Sequence, residues 1–172
     1  MQNEAVIRLV VFVSIFAVMA GWELFGPARR LAASKRRRWL TNWAIVAIDT
    51  AVVRLLFPAA AVGAALDAAA QGWGLLPALG APYWLALLIS VLALDLAIWA
   101  QHLAFHKIPA LWRLHRVHHA DLDVDVSTAL RFHPAEIALS MLIKIGAVYL
   151  LGAPALAVLV FEALLNGCAM FN

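Results

Sequence analysis

The chain alternates long apolar runs with short polar or glycine-rich breaks. A helix needs about 20 mostly apolar residues to cross the hydrocarbon core of a bilayer, and several runs reach that length. The first extends from Ala5 to Phe25, with Arg8 and Glu23 near its ends. It is longer than a signal-peptide core and its basic residues follow it, which predicts a retained, signal-anchor-like span. A second run covers Trp43 to Leu66 and contains Asp49 and Arg54. Five residues apart, these two do not share a helix face, and pairing with neighbouring helices or snorkelling outranks a functional role. Asp67 to Pro82 holds Gly72, Gly74, Pro77, Gly80 and Pro82, which predicts an outer loop with Trp73 at the interface. The third span is expected from Tyr83 to about Gln101. Ala135 to Leu165 is too long for one span and too short for two, and Gly152 and Pro154 interrupt it. A hairpin of two short helices fits, leaving Asn172 on the cytoplasmic side. Strand periodicity is confined to Asp121–Val126. The pattern predicts an all-α integral membrane bundle of about four to five spans or hairpin segments.

Composition sharpens the class. Of 172 residues, 65% are hydrophobic and 13% charged, with a mean hydropathy of +0.89. Soluble domains carry about 25% charged residues, so a disordered segment, a nucleic-acid binder and a water-soluble enzyme are all excluded. The net charge of +3 does not imply affinity for DNA, because six of the 13 cations fall between Arg29 and Arg38. Short loops rich in Lys and Arg stay in the cytoplasm. The basic stretch from Pro27 to Thr41 is therefore expected to be an inner loop, with the N-terminus outside. The lone Cys168 makes no internal disulfide and reads as a small buried hydrophobe.

The chemistry lies in the histidines. All six fall between His102 and His133, just after the third span. His102 and His106 stand at i and i+4 on one helix face, and His115, His118 and His119 form an i, i+3, i+4 stripe. Pro109 breaks the helix between them, so the second stripe can fold back over the first. Two converging imidazole stripes point to metal binding. Imidazole suits Zn, Cu, Fe and Ni alike, and five clustered histidines exceed the four ligands of a structural zinc. A two-metal site follows. The alternative is a haem-bearing electron carrier using His102, His106 and His118, although haem ligands are expected singly on separate helices.

The text from Asp95 through Trp99 to His102-Leu-Ala-Phe-His106 and His115-Arg-Val-His118-His119 resembles a known family. It continues through the Asp-alternating stretch to Thr128, then Arg131-Phe-His133-Pro134-Ala-Glu136. These motifs, in this order, resemble the fatty acid hydroxylase/sterol desaturase superfamily, particularly its bacterial sterol-desaturase-like branch. The resemblance covers residues 83–172 by motif and residues 1–82 by architecture only. It implies a membrane-bound non-haem di-iron oxygenase, with two iron ions held by His102, His106, His115, His118 and His119 at the cytoplasmic face of a bacterial inner membrane. It further implies O2 as co-substrate, a lipid whose C–H bond is hydroxylated or desaturated, and an external electron donor. Members of the superfamily also carry later histidine boxes, so this chain is expected to be a fragment and incompetent by itself. A degenerate, non-catalytic member is the remaining alternative.

Around the cluster, Asp95 lies seven residues before His102 and is a candidate to orient it, since ligating histidines donate their second N–H to carboxylates. His133 ranks lower: either it stands beside the metal, or the box it belongs to only starts a helix. Asp121, Asp123 and Asp125 are either a solvated extended loop or partners of His118 and His119. Arg113, Arg116 and Arg131 are expected at lipid headgroups, and Trp84, Trp99 and Trp112 as interfacial anchors.

Overall fold

A computed structural model describes residues 4–26 and 31–171; Pro27 to Arg30, and with them Arg29 and Arg30 of the basic run, lie outside the described residues, as does Asn172. The helices are α1 (Glu4–Phe25), α2 (Lys35–Leu56), α3 (Ala60–Gln71), α4 (Leu75–Ala78), α5 (Tyr83–Lys107), α6 (Pro109–His115), α7 (Pro134–Leu151) and α8 (Ala155–Phe171). Two 3₁₀ turns, His118–Ala120 and Thr128–Leu130, lie between α6 and α7. Among the described residues there is no strand, and four stretches are long and apolar enough to cross a membrane: Val6–Phe25, Lys35–Ala78, Tyr83–Lys107 and Pro134–Leu151. The protein is an all-α membrane bundle.

The expected second span, Trp43 to Leu66, is not one helix. Pro58 has no N–H to give and its ring clashes with the preceding turn, so α2 stops at Leu56 and α3 restarts at Ala60. Ala60 takes the left-handed φ of +50° to make the corner, a conformation costing about 1–2 kcal/mol in an L-residue. The alanine-rich α3 then lies close against its neighbours, since small side chains let helix backbones approach. Ala61, Val62 and Ala65 form the core with Leu94 of α5, Val148 of α7, and Val158 and Phe161 of α8. The lipid side of α5 is the stripe Leu88, Leu92, Leu96 and Trp99, all exposed at helical spacing.

The expected hairpin is present, but α7 and α8 have 18 and 17 residues and run beyond both ends of the apolar stretch. They turn at Gly152, whose φ is +67°. Gly74, with φ +112°, crosses this turn so closely that a Cβ on either glycine would run into the other segment's backbone. Part of the expected outer loop is helical: α3 continues to Gln71, and α4 follows. Tyr149 donates a 2.7 Å hydrogen bond to Asp67, and its ring lies 5.9 Å from that of Trp73. These contacts tie α3 to α7 at the end of the bundle opposite the histidines. Cys168 is exposed, not buried: it falls on the outer face of α8, whereas Phe161 and Glu162 point inward.

The basic run is also different from a solvated loop. Lys35 to Arg38 open α2, and Arg38 is buried. Its guanidinium bonds Asp121 Oδ1 at 2.6 Å, Asp125 Oδ2 at 2.8 Å and the carbonyl of Asp123. Asp123 accepts from the backbone N–H groups of Ala32 and Ala33, and Glu23 of α1 accepts from Val126 N–H at 2.6 Å. The Asp121–Val126 alternation is real but inverted: its aspartates point inward to the N-terminal segment, while Leu122 and Val124 are exposed. These aspartates accept from α2, from Ala32 and Ala33, and from Ser127 and Thr128 of their own loop, so they tie that loop to the N-terminal segment. Burial works to raise the pKa of Asp121, but hydrogen bonds from Arg38 and Asn42 outweigh it and hold it at about 2.

Candidate metal centre

The last two turns of α5 carry His102 and His106 one above the other, with ring centroids 4.7 Å apart and Nε2 atoms 3.1 Å apart. The helix ends at Ile108, which is extended as residues before proline prefer to be. Pro109 then starts α6 at its first position, where the missing N–H costs nothing. α6 folds back on α5 and brings the His115 ring to 4.6 Å from His102 and 4.7 Å from His106. His119 lies 5.0 Å from both His106 and His115. The two stripes meet, and Pro109 is the reason.

The second stripe is not continuous helix. α6 ends at His115, and His118–Ala120 is a 3₁₀ turn. His119 therefore stays on the cluster face, with its Nε2 3.3 Å from that of His115. His118 swings toward the following loop: its ring stacks on Phe132 at 4.5 Å, and its Nδ1–H donates to the carbonyl of Arg131 at 3.2 Å. It remains 5.0 Å from His119 and 5.5 Å from His115, centroid to centroid.

These donors fit a metal ion. One nitrogen from each of His102, His106 and His115 lies within 4.8 Å of the others. Imidazole nitrogens bound at about 2.1 Å to one ion sit roughly 3 to 3.4 Å from each other, close to the separations of the His102–His106 and His115–His119 pairs. Ligating histidines also donate the second ring nitrogen to a carboxylate or carbonyl, which fixes the tautomer. His115 does so at 2.7 Å to Glu136 Oε1, and His118 does so to Arg131. Each is left with an Nε2 lone pair.

Electrostatics favours the neutral rings a metal requires. Burial, reinforced by the neighbouring histidines, lowers the pKa of both His115 and His118 to about 4. His119 is lowered by burial and then by His106. His115 is fully enclosed, with Phe105 at 5.7 Å.

Other expectations land differently. Asp95 is exposed on α5, about 10.5 Å along the helix axis from His102. Among the described residues it makes no hydrogen bond. The carboxylate that meets the cluster is Glu136, buried in the first turn of α7. Its signal was the Arg131–Glu136 box, where a helix-start role competed with one beside the metal. His133 is the N-cap of α7 and accepts from Ala135 N–H at 3.1 Å; it stands apart from the five clustered rings. Arg131 is not at a headgroup: it donates to the Val117 carbonyl at 2.9 Å and to Asn42 Oδ1 at 3.3 Å. Trp112 is a wall of the cluster, 5.5 Å from His106 and 5.6 Å from His119, whereas Trp84 and Trp99 are exposed.

Fold and site together define a membrane helical bundle with a histidine-lined centre at one end. The fatty acid hydroxylase family model matches residues 87–172, half of the chain and all six histidines. The chain belongs to that family. No curated protein and no solved structure matches it.

Proposed function

We propose that the chain carries the non-haem iron centre of a lipid hydroxylase or desaturase, facing the cytoplasm from a bacterial inner membrane. The supporting observation is the convergence of His102, His106, His115 and His119, with His115 oriented by Glu136. Iron bound by these imidazoles supplies the means to activate O2 against an unreactive C–H bond. The protein's part is to hold the rings neutral and aimed, and to place the centre where α5 ends. There the buried chain of a lipid meets electrons delivered from water by an external donor.

The donor count bears on stoichiometry. Four converging imidazoles suffice for one ion, and His118 adds a fifth donor; two irons together need more ligands than these five. The described residues thus make a first iron site and part of a second, and by themselves do not complete the reaction. Haem is disfavoured by geometry. A bis-histidine haem needs two nitrogens about 4 Å apart across a flat macrocycle, each roughly 2 Å from the iron. The close nitrogen pairs here, at 3.1 and 3.3 Å, are spaced to share one ion and not to face each other across a macrocycle.

Metal analysis and an absorption spectrum of the purified chain test the reading. Non-haem iron at fewer than two ions per chain, lost in His115→Ala, is expected. A Soret band, or an iron content indifferent to His115, would refute it.

A further inference from the structure

A cleft of about 630 Å³ lies between α1, α2, α7 and α8, running along α2 from Val46 past the Pro58 corner. Its volume falls in the range of small-molecule sites, roughly 300–1,000 Å³. Its walls are largely apolar, with Phe12, Val53, Leu130 and Met141 among them. Phe132, the ring that stacks on His118, is part of its wall. A molecule in this cleft therefore lies beside the histidines.

Three intramembrane charges line the same space, Arg8, Asp49 and Arg54, and Arg8 is already paired with Glu162 of α8. Asp49 is only 7% exposed, and its Oδ1 has no hydrogen-bond partner among the described residues. A buried polar group in that state is costly unless something bonds it. Arg54 is in a different position: it sits in the last turn of α2, at the negative end of the helix dipole, where a cation is already stabilised. The group seeking a partner is thus the carboxyl, and an anionic ligand would be repelled by it. A hydroxyl, which donates and accepts, satisfies Asp49 in either protonation state.

We propose that this cleft binds a long-chain lipid alcohol, its hydroxyl on Asp49 and its chain passing Phe132. This rests on the lipid-oxidation reading above and narrows the substrate to a neutral, hydroxyl-bearing amphiphile. The test is equilibrium binding of tritiated 1-hexadecanol to the full chain in nanodiscs at pH 7.5, with metal content measured on the same samples. Saturable binding is expected, displaced by unlabelled hexadecanol at lower concentration than by palmitate. Asp49→Leu should weaken it about tenfold or more, the scale of a hydrogen bond to a charged group. Val53→Trp, which fills the cleft while leaving the carboxyl in the chain, should weaken it too, and both variants should keep the wild-type metal content. Unchanged binding in either variant, or stronger competition by palmitate, overturns the proposal. Hexadecanol binding that depends on Asp49 in a chain taking up no iron would uphold the cleft and sink only the oxidation reading.

Discussion

His115 is the residue on which the centre turns. It is enclosed, it touches every other ring of the cluster, and its Nδ1 is committed to Glu136. Removing a carboxylate that orients a ligating histidine typically costs 10- to 100-fold in metal affinity. Glu136→Gln should therefore weaken metal binding by about that factor while leaving the helical content unchanged, as a Co2+ titration followed by its absorption bands would show. The lowered histidine pKa values have a second consequence. Between about 6.5, the ordinary histidine value, and about 4, the unfolded chain binds protons at His115 and His118 that the folded chain does not. The contribution of these two rings to the stability of the metal-free protein is thus full above that window and is lost as pH drops through it. Thermal melts in detergent from pH 7.5 to 4 should show this loss as a steeper decline in the unsubstituted chain than in His118→Gln, and parallel profiles would contradict the burial of a neutral His118 ring. The ligand candidates were legible as i, i+4 spacing, whereas Glu136 was not, because a glutamate after His-Pro is equally an ordinary helix start.

The helices were legible from apolar run length, and their junctions far less so. Pro109 announced its break, but Pro58 was hidden inside a run that stays apolar on both sides. The basic stretch misled for a different reason. Arg36 and Arg37 are exposed as composition suggests, while Arg38, identical in sequence terms, is buried against three aspartates more than 80 residues away. No local pattern encodes that pairing. Removing one partner of a buried ion pair costs about 3–5 kcal/mol, whereas an exposed substitution stays within about 0.5 kcal/mol. Arg38→Met should therefore lower the melting temperature sharply and Arg36→Ala hardly at all. Because Arg131 ties Asn42 of α2 to Val117, the same loss should loosen the loop bearing His118. At the opposite end, Gly152→Ala would force an L-residue to a φ of +67° against the Trp73 carbonyl and Pro77. A destabilisation of about 1–3 kcal/mol is expected, the range for a strained backbone position, and melts of the variant measure it.

Taken as a bundle, the molecule has two unlike ends. α5 is 25 residues long, about 37 Å at 1.5 Å per residue, which separates the histidine cluster from the glycine-sealed turn at Gly74 and Gly152. The proposed orientation puts the histidines inside. In a Cys168→Ala background, Arg116→Cys should react with an impermeant maleimide only in inside-out vesicles, and Leu79→Cys only in intact cells; the reverse pattern would invert the topology. Length, hydropathy and the positive-inside pattern were enough to anticipate such a bundle, while the cleft along α2 arises from packing between four helices and leaves no trace in any one of them. The deciding measurement is iron K-edge X-ray absorption of the purified, iron-loaded chain. A shell of three or four imidazole nitrogens at about 2.1 Å, diminished in His102→Ala and His115→Ala, is the predicted result. An oxygen-only shell, or one unaltered by either substitution, would show that these rings do not share an ion.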